Sequence, residues 1–156
     1  MIKKCRISGD KLIPFLDLGK QPLGNGFLNS TKNFKNEFFY KLKVGFSKKS
    51  SMVQLLKAPK KEKMFNNKYA FYSSTSKFMD SHFKNFSKEI QKFILKKKII
   101  NPLIVEIGSN DGIMLKRFKK FNHVGIEPAK NVALASRKKI NCNVLIEFFN
   151  KQTVEK

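Results

Sequence analysis

Long apolar runs are missing from this sequence, and their absence excludes several classes of protein. No uninterrupted hydrophobic stretch approaches the roughly 20 residues that a membrane-spanning helix needs. The lysines at the N-terminus are not followed by the apolar stretch of a secretory signal. Only two cysteines are present, Cys5 and Cys142, too few for a disulfide-rich secreted scaffold. We therefore expect a cytoplasmic protein with no membrane partner.

Acidic residues and arginine are also scarce, whereas lysine is abundant. The 156 residues include 33 Lys and Arg against 11 Asp and Glu, a formal net charge of +22, and arginine stands only at positions 6, 117 and 137. Such a charge attracts polyanions, so nucleic acid or another anionic surface is a candidate partner. The alternative, which we favour, is that the charge reflects overall composition. The lysines are scattered, and proteins that read nucleic acid usually also use arginine.

The hydrophobic content is sufficient for a folded chain, since 41% of the residues are hydrophobic and 16 are Phe. Residues 1–62 are rich in Gly, Pro, Ser and Asn turn signals. Between these signals lie two runs with strand character, 12–18 and 38–46. This pattern predicts a small β-rich module with hairpin connections.

Residues 63–100 form a second segment, in which an aromatic and hydroxyl cluster over 69–76 precedes a helix. The helix is predicted from one apolar stripe whose members are three or four residues apart. Serines 73–76 offer N-caps, and the lysines lie mostly off the stripe, as on a solvated face. The stripe consists of Met79, Phe83, Phe86, Ile90 and Phe93.

Residues 101–156 change character again and alternate between strand and helix patterns. Pro102 ends the preceding helix, and the run that follows is typical of a buried parallel strand. The order β-α-β-α-β predicts half of a doubly wound, Rossmann-like sheet in an α/β protein. The predicted elements are strand 103–107, a helix starting over 113–118, strand 123–127, helix 131–139 and strand 143–149.

The turn after the first parallel strand has the pattern Gly108-x-x-x-Gly112. It lacks both the G-x-G-x-x-G spacing of a pyrophosphate site and the ending of a P-loop. Glu106 at the strand end would repel a phosphate, whereas Glu127, 21 residues later, could accept hydrogen bonds from ribose hydroxyls. Each feature alone is more often an ordinary turn or a solvated carboxylate. Together they favour a cationic, phosphate-free nucleoside, for which S-adenosylmethionine is the obvious candidate.

Several longer strings strengthen this interpretation. VEIGSNDGIML, VGIEPAKNVALAS and IEFF resemble the class I S-adenosylmethionine-dependent methyltransferases. More narrowly they resemble the sugar C-methyltransferases that carry an N-terminal zinc-binding domain. FLDLGKQPLGNGFL, MVQLL and YAFYSSTSKFMDSHF in the N-terminal half resemble the same family. The resemblance runs through nearly the whole chain.

The resemblance implies a set of site residues and a nucleotide-linked deoxysugar as substrate. Glu127 would hold the ribose of the cofactor, with Pro128 framing the adenine. Tyr69 and His82 fall on the segment near the sugar, which makes them weak candidates for catalysis. A His at the edge of an amphipathic helix is more often a packed or surface residue. Around the methionine end of the cofactor the resemblance places Glu106, Gly108, Asn110 and Gly112.

The sequence departs from this family at the metal site. The family binds zinc through two C-x-x-C knuckles, which correspond here to Cys5 with Ser8 and to Ser47 with Ser50. A serine hydroxyl is a poor zinc ligand at neutral pH. We therefore expect no structural zinc.

A second departure is length, because the sequence stops after the third predicted strand. We expect a C-terminally truncated methyltransferase that is weakly active or inactive alone, with its first parallel strand at an open sheet edge. One alternative is a half-chain completed by a separate partner. Another is a non-catalytic basic module that binds nucleic acid or an anionic surface.

Overall fold

The protein has a mixed α/β fold, seen in a computed structural model that describes residues 4–155. The chain divides into two compact units, residues 4–64 and 65–155. The first contains an antiparallel sheet and the second a parallel one. Within residues 4–155, none of the helices has the length and hydrophobicity that crossing a bilayer requires.

The first unit is a three-stranded antiparallel sheet, as the turn-rich sequence predicts. Its strands are β1 (Ile13–Pro22), β2 (Phe39–Ser47) and β3 (Met52–Leu55), in the order β1-β2-β3. A 3₁₀ helix, Thr31–Asn36, lies between β1 and β2, and a single helical turn, α1 (Lys61–Met64), follows β3.

The apolar core of this unit is small. One cluster of three fully buried residues, Cys5, Leu12 and Leu56, closes against β2. A Cβ added at Gly45 of β2 would lie 2.6 Å from Leu56 Cδ2, so a glycine is needed there for this close packing. Nearly every residue of β1 is exposed. Polar contacts must therefore contribute to holding the unit together.

The second unit begins with a long helix, α2 (Lys77–Lys96), after a short 3₁₀ turn at Ser73–Thr75. Ser76 is its N-cap, and its side chain accepts a hydrogen bond from the backbone of Met79 at 3.2 Å. The helix and the capping by a serine of 73–76 were both predicted. The lysines at 77, 84, 88, 92 and 96 are exposed, as expected of a solvated face.

The packed face of α2 differs from the predicted stripe. Phe86 and Phe93 are about half exposed, whereas Ser87 and Ile94 are buried. In this part of the helix the buried face is therefore shifted by one residue from the predicted stripe. A period of 3.6 residues is compatible with two adjacent lines, and the neighbouring elements determine which one is buried.

A three-stranded parallel sheet forms the remainder of the second unit. Its strands are β4 (Leu103–Ile107), β5 (Asn122–Ile126) and β6 (Val144–Leu145), in the order β4-β5-β6. Helix α3 (Lys130–Ile140) connects β5 to β6, and a short turn, α4 (Lys151–Val154), follows. The predicted bounds are correct for β4 and within one residue for β5 and α3.

Two predicted elements are wrong in extent. The helix expected from residue 113 is only a 3₁₀ turn, Leu115–Arg117, and the strand expected over 143–149 is only β6. Ile113, Met114, Leu115 and Phe118 are all buried. Because apolar side chains must be covered on every side here, the chain folds into a tight buried turn rather than a helix with one solvated face.

The two faces of the parallel sheet differ sharply. Leu115, Ala133, Cys142 and Val144 form a buried core against one face. On the other face Leu103, Val105 and Ile107 of β4 are 61%, 47% and 57% exposed. These three residues line an apolar groove of about 610 Å³ together with Val124, Ile126, Leu145, Phe149 and Val154. Strand β4 also lies at the sheet edge, as predicted.

Candidate functional site

The turn after β4, residues 108–112, is called the glycine loop here. It is anchored to the neighbouring strand, because the backbone N–H groups of Gly108 and Ser109 both donate to the carbonyl of Ile126, at 2.8 and 3.2 Å. The loop therefore lies at the carboxyl end of β4 and β5. Ligands of open parallel sheets bind at this edge.

The two glycines of the loop have different roles. Both have positive φ, 74° at Gly108 and 76° at Gly112, which favours glycine. A Cβ added at Gly112 would collide with the side chains of Ser136 and Ile140 on α3. A Cβ added at Gly108 would meet nothing within 4 Å. Packing thus requires Gly112, whereas Gly108 leaves the backbone open to an approaching ligand.

Glu127 joins the glycine loop to the end of β5. Its side chain is buried, with 4% of the residue exposed. One carboxylate oxygen accepts from the backbone N–H of Asn110 at 3.0 Å, and the other accepts from that of Ala129 at 2.8 Å. The structure therefore brings together Asn110 and Glu127, two predicted site residues. Pro128, also predicted, is half-buried between Glu127 and Ala129.

The aromatic and hydroxyl segment packs directly on the glycine loop. Asn110 accepts from the backbone N–H of Ser73 at 2.9 Å and donates to the carbonyl of Phe71 at 3.1 Å. The buried carboxylate of Asp111 accepts from both the backbone N–H and the hydroxyl of Ser74. Asp111 was not predicted, although it lies inside the quoted motif. Its role depends on a contact with a segment 37 residues away.

Asn131 at the start of α3 fixes the same segment from the other side. Its side-chain amide donates to the carbonyl of Tyr69 at 2.8 Å and to the Tyr72 hydroxyl at 2.9 Å. The Tyr69 ring packs against Phe65 and Phe71, with centroids 5.5 and 5.7 Å apart. Asn131 was not predicted as a site residue either, although it lies within the quoted string VGIEPAKNVALAS.

The two catalytic candidates lie in different surroundings. Burial raises the pKa of Tyr69, and the nearby charge of Glu127 raises it further. His82 is exposed on α2, where its ring contacts Phe83 and stacks at 6.3 Å on Phe86. Both of these ring contacts are therefore with residues of its own helix, α2.

Glu106 lies beneath the loop on the covered face of the sheet. Burial raises its pKa to about 7, the charge of Asp111 adds to the effect, and a hydrogen bond from the backbone of Leu115 partly offsets it. Its Oε2 is buried without a partner in the described part of the chain, as are Ser109 Oγ, Asn131 Oδ1 and Ser136 Oγ. Unpaired buried polar atoms are rare, and those of Glu106, Ser109 and Ser136 are available to hydrogen-bond a ligand at the glycine loop.

A second polar cluster lies in the first unit, where the four predicted knuckle positions come together. Cys5 Sγ is 3.3 Å from Ser50 Oγ, and Ser50 Oγ donates to Ser47 Oγ at 2.8 Å. Ser8 Oγ is 3.3 Å from Ser47 Oγ. The turns that carry the two C-x-x-C-like patterns are therefore adjacent.

Asp10, which was not predicted, completes this cluster. Its carboxylate accepts hydrogen bonds from the hydroxyls of Ser8 and Ser47, the latter at 2.7 Å. These two bonds lower the pKa of Asp10. Hydrogen bonding with Ser50 and Ser8 lowers the pKa of Cys5 to about 6. We call these five side chains the knuckle cluster: Cys5, Ser8, Asp10, Ser47 and Ser50.

Comparison with known families agrees with this geometry. Residues 5–65 match a methyltransferase-associated family that is described as "Putative zinc binding domain". The first unit is therefore similar to a methyltransferase-associated domain. No curated protein matches the chain.

The donor set of the knuckle cluster does not fit the zinc ion that this family description implies. Structural zinc is bound by four thiolate, imidazole or carboxylate ligands. The cluster has one thiol and one carboxylate, and its other three members are hydroxyls. Elsewhere in residues 4–155, no three His, Cys, Asp or Glu side chains are grouped to hold a metal ion.

Proposed function

We propose that the protein is methyltransferase-like and binds S-adenosylmethionine at the glycine loop. The observation that carries the proposal is the bridge between Glu127 and Asn110 beside the open backbone of Gly108. It joins the carboxyl ends of two adjacent parallel strands, as a nucleoside site in such a sheet requires. The match of residues 5–65 to a methyltransferase-associated family supports the same function.

The charge of the site favours a cationic ligand over a phosphate. The chain has only 11 acidic residues, and three of them, Glu106, Asp111 and Glu127, lie in or next to the glycine loop. Asp111 and Glu127, together with Glu106, which is partly ionised near neutral pH, make the site repel phosphate and stabilise positive charge in a chain that is otherwise strongly basic. S-adenosylmethionine carries an ammonium and a sulfonium group, so the residues present fit this cofactor.

In this proposal the protein's own residues bind and orient the ligand. Glu127 has a remaining acceptor capacity for ribose hydroxyls, and Gly108 allows the ligand to contact the loop backbone. The bound cofactor supplies an electrophilic methyl group. Tyr69, whose pKa is raised, stays protonated at neutral pH and can donate a hydrogen bond to an acceptor substrate. The proposed substrate, a nucleotide-linked deoxysugar, is supported by the sequence resemblance alone, and we propose weak or no turnover by the chain alone.

Calorimetric titration of the full chain with S-adenosylmethionine tests the proposal. We expect saturable binding, with an affinity at least about tenfold weaker in Glu127→Gln, because this variant loses one charge-assisted contact with the ligand. Glu89→Gln is the matched control, because Glu89 forms an exposed ion pair with Lys92 on α2 and should not affect binding. Circular dichroism checks that each variant is folded. A folded wild-type chain that does not bind the cofactor would contradict the proposal.

One specific observation supports an alternative, binding of nucleic acid or another anionic surface. Helix α2 presents exposed lysines next to the exposed aromatic rings of Phe78, Phe86 and Phe93. Lysines bind phosphates, and aromatic rings can stack on bases. Binding of a single-stranded oligonucleotide that falls steeply with added salt and is lost on Lys84→Glu/Lys88→Glu would favour this function.

A separate partner chain remains a proposal as well. The exposed apolar side chains of β4 support it, because contiguous apolar surface of this kind is often covered in the working protein. Sedimentation of the purified chain with and without candidate partners tests whether this face is bound.

A further inference from the structure

We propose that the knuckle cluster takes the place of the zinc ion. In this arrangement the carboxylate of Asp10 and the hydroxyls of Ser8, Ser47 and Ser50 crosslink the two turns that a metal would otherwise join. The first unit is then a metal-free variant of its family's zinc-binding domain, and its fold does not depend on zinc.

Two contacts within the cluster, Ser50–Ser47 and Ser47–Asp10, have the lengths of hydrogen bonds rather than those of a metal shell. Ligands of tetrahedral zinc stand apart by about 3.3 Å for two oxygens and about 3.8 Å for two sulfurs, given the usual metal–ligand lengths. Ser50 Oγ and Ser47 Oγ are 2.8 Å apart, and Ser47 Oγ and Asp10 Oδ1 are 2.7 Å apart. At these two contacts the oxygen atoms bind each other directly, whereas Ser8 Oγ to Ser47 Oγ and Cys5 Sγ to Ser50 Oγ are longer, at 3.3 Å each.

Asp10 and Ser47 are also paired with hydrogen-bond donors from both turns. Asp10 accepts from two hydroxyls and, at 3.4 Å, from the backbone N–H of Lys49. Ser47 Oγ accepts from the backbone N–H of Ser50 at 3.2 Å in addition to the Ser50 hydroxyl. Each oxygen of this partly exposed carboxylate therefore accepts at least one hydrogen bond, which stabilises the negative charge without a cation.

The position of the cluster explains why a crosslink is needed. The turn at residues 5–10 is closed by a hydrogen bond from Cys5 N to Asp10 O at 2.8 Å, and residues 47–50 form the other turn, between β2 and β3. The bond between Ser47 and Asp10 joins residues 37 positions apart. The apolar cluster beside it, Cys5, Leu12 and Leu56, is small. A small module of this kind is usually held together by a metal or disulfide.

Metal analysis of the purified full chain is the first test. We expect much less than one zinc ion per chain by elemental analysis after growth with added zinc. The midpoint of thermal unfolding should not change when a chelator is added. One zinc ion per chain together with a chelator-sensitive midpoint would overturn the proposal.

Restoring the thiols provides a positive control and a second test. The series Ser8→Cys, Ser8→Cys/Ser50→Cys and Ser8→Cys/Ser47→Cys/Ser50→Cys supplies two, three and four thiols with Cys5. We expect zinc affinity to rise at each step, with one ion per chain and a chelator-sensitive midpoint in the last variant. Ser30→Cys, outside the cluster, should bind no zinc. If the four-thiol variant bound none, the two turns would not correspond to zinc knuckles and the proposal would fail.

Removing the carboxylate tests whether the hydrogen bonds do the work of the metal. Asp10→Asn should lower the thermal midpoint by several degrees, with no recovery on adding zinc. Asp17→Asn is the matched control in the same unit, because Asp17 forms an exposed ion pair with Lys43 at 2.6 Å. If Asp10→Asn prevents folding, Ser47→Ala provides the milder variant. Equal midpoints for the Asp10 and Asp17 variants would contradict the crosslinking role.

Discussion

The two units of this protein use polar side chains in opposite ways. In the first unit the fully buried cluster has three residues, Cys5, Leu12 and Leu56, and the polar groups beside it are paired with one another. In the second unit a larger apolar core supports the sheet, and several buried polar atoms around the glycine loop have no partner within the described residues. Where the core is small, polar groups crosslink the chain. Where it is larger, they can remain available to a ligand.

Core truncation should have the largest effect and tests this comparison directly. Leu115→Ala removes a fully buried side chain from the second core and should reduce the free energy of unfolding by about 3 kcal/mol. Leu12→Ala in the smaller core should cost less, and the exposed Leu103→Ala should cost less than about 1 kcal/mol. Urea unfolding followed by circular dichroism measures all three. Equal losses for Leu12 and Leu115 would remove the proposed difference between the cores.

The glycine loop should show the next largest effect. Gly112→Ala places a methyl group against Ser136 and Ile140 at a positive φ, and should cost about 2 kcal/mol. Gly19→Ala is the matched control, because Gly19 also has a positive φ, 69°, but open space around it. Its cost should be about 1 kcal/mol, from backbone strain alone. Similar losses in chemical denaturation would show that packing against α3 contributes little.

The buried carboxylate beneath the loop should make stability depend on pH. The folded state holds Glu106 with a pKa of about 7, above its ordinary value of 4.5, so it binds a proton that the unfolded chain releases. The contribution of Glu106 to the free energy of unfolding therefore falls as pH rises from about 4.5 to 7, and above pH 7 it stays low. Glu106→Gln should stabilise the protein above pH 7 by roughly 1–2 kcal/mol and flatten this dependence. Denaturation at pH 5 and pH 8 tests it, and equal shifts at both would contradict the assignment.

The smallest effect is expected at a surface ion pair of the second unit. Asp80 on α2 binds Arg117 at 2.7 Å and Lys116 at 2.6 Å, and these hydrogen bonds lower its pKa. The contribution of Asp80 to the stability of the folded state is fully present above its ordinary pKa of 3.8. It is lost as pH falls through the lowered pKa of the folded state. Asp80→Asn should lower the thermal midpoint slightly at pH 7, and less in high salt. If Asp80→Asn lowered the thermal midpoint as much as Gly112→Ala does, ion pairs would also contribute strongly to the stability of this unit.

The sequence alone determined the features that depend on neighbouring residues. The branched apolar run fixed β4, the three- and four-residue spacing fixed α2, and the serines before it supplied its N-cap. The Gly108/Gly112 turn and Glu127 were identifiable because turn chemistry and strand ends are local properties. The four knuckle positions were identifiable only through the resemblance to a family.

Only the tertiary structure decided which residues meet across the chain. Asp10 joins the knuckle cluster through a residue 37 positions away, and Asn131 reaches Tyr69 across 62 positions. Tertiary packing likewise rotated the buried line of α2 and shortened the helix expected after residue 113. It also left one sheet face exposed. Local periodicity permits several such arrangements, and only contacts between distant segments, which no short sequence window contains, select one of them.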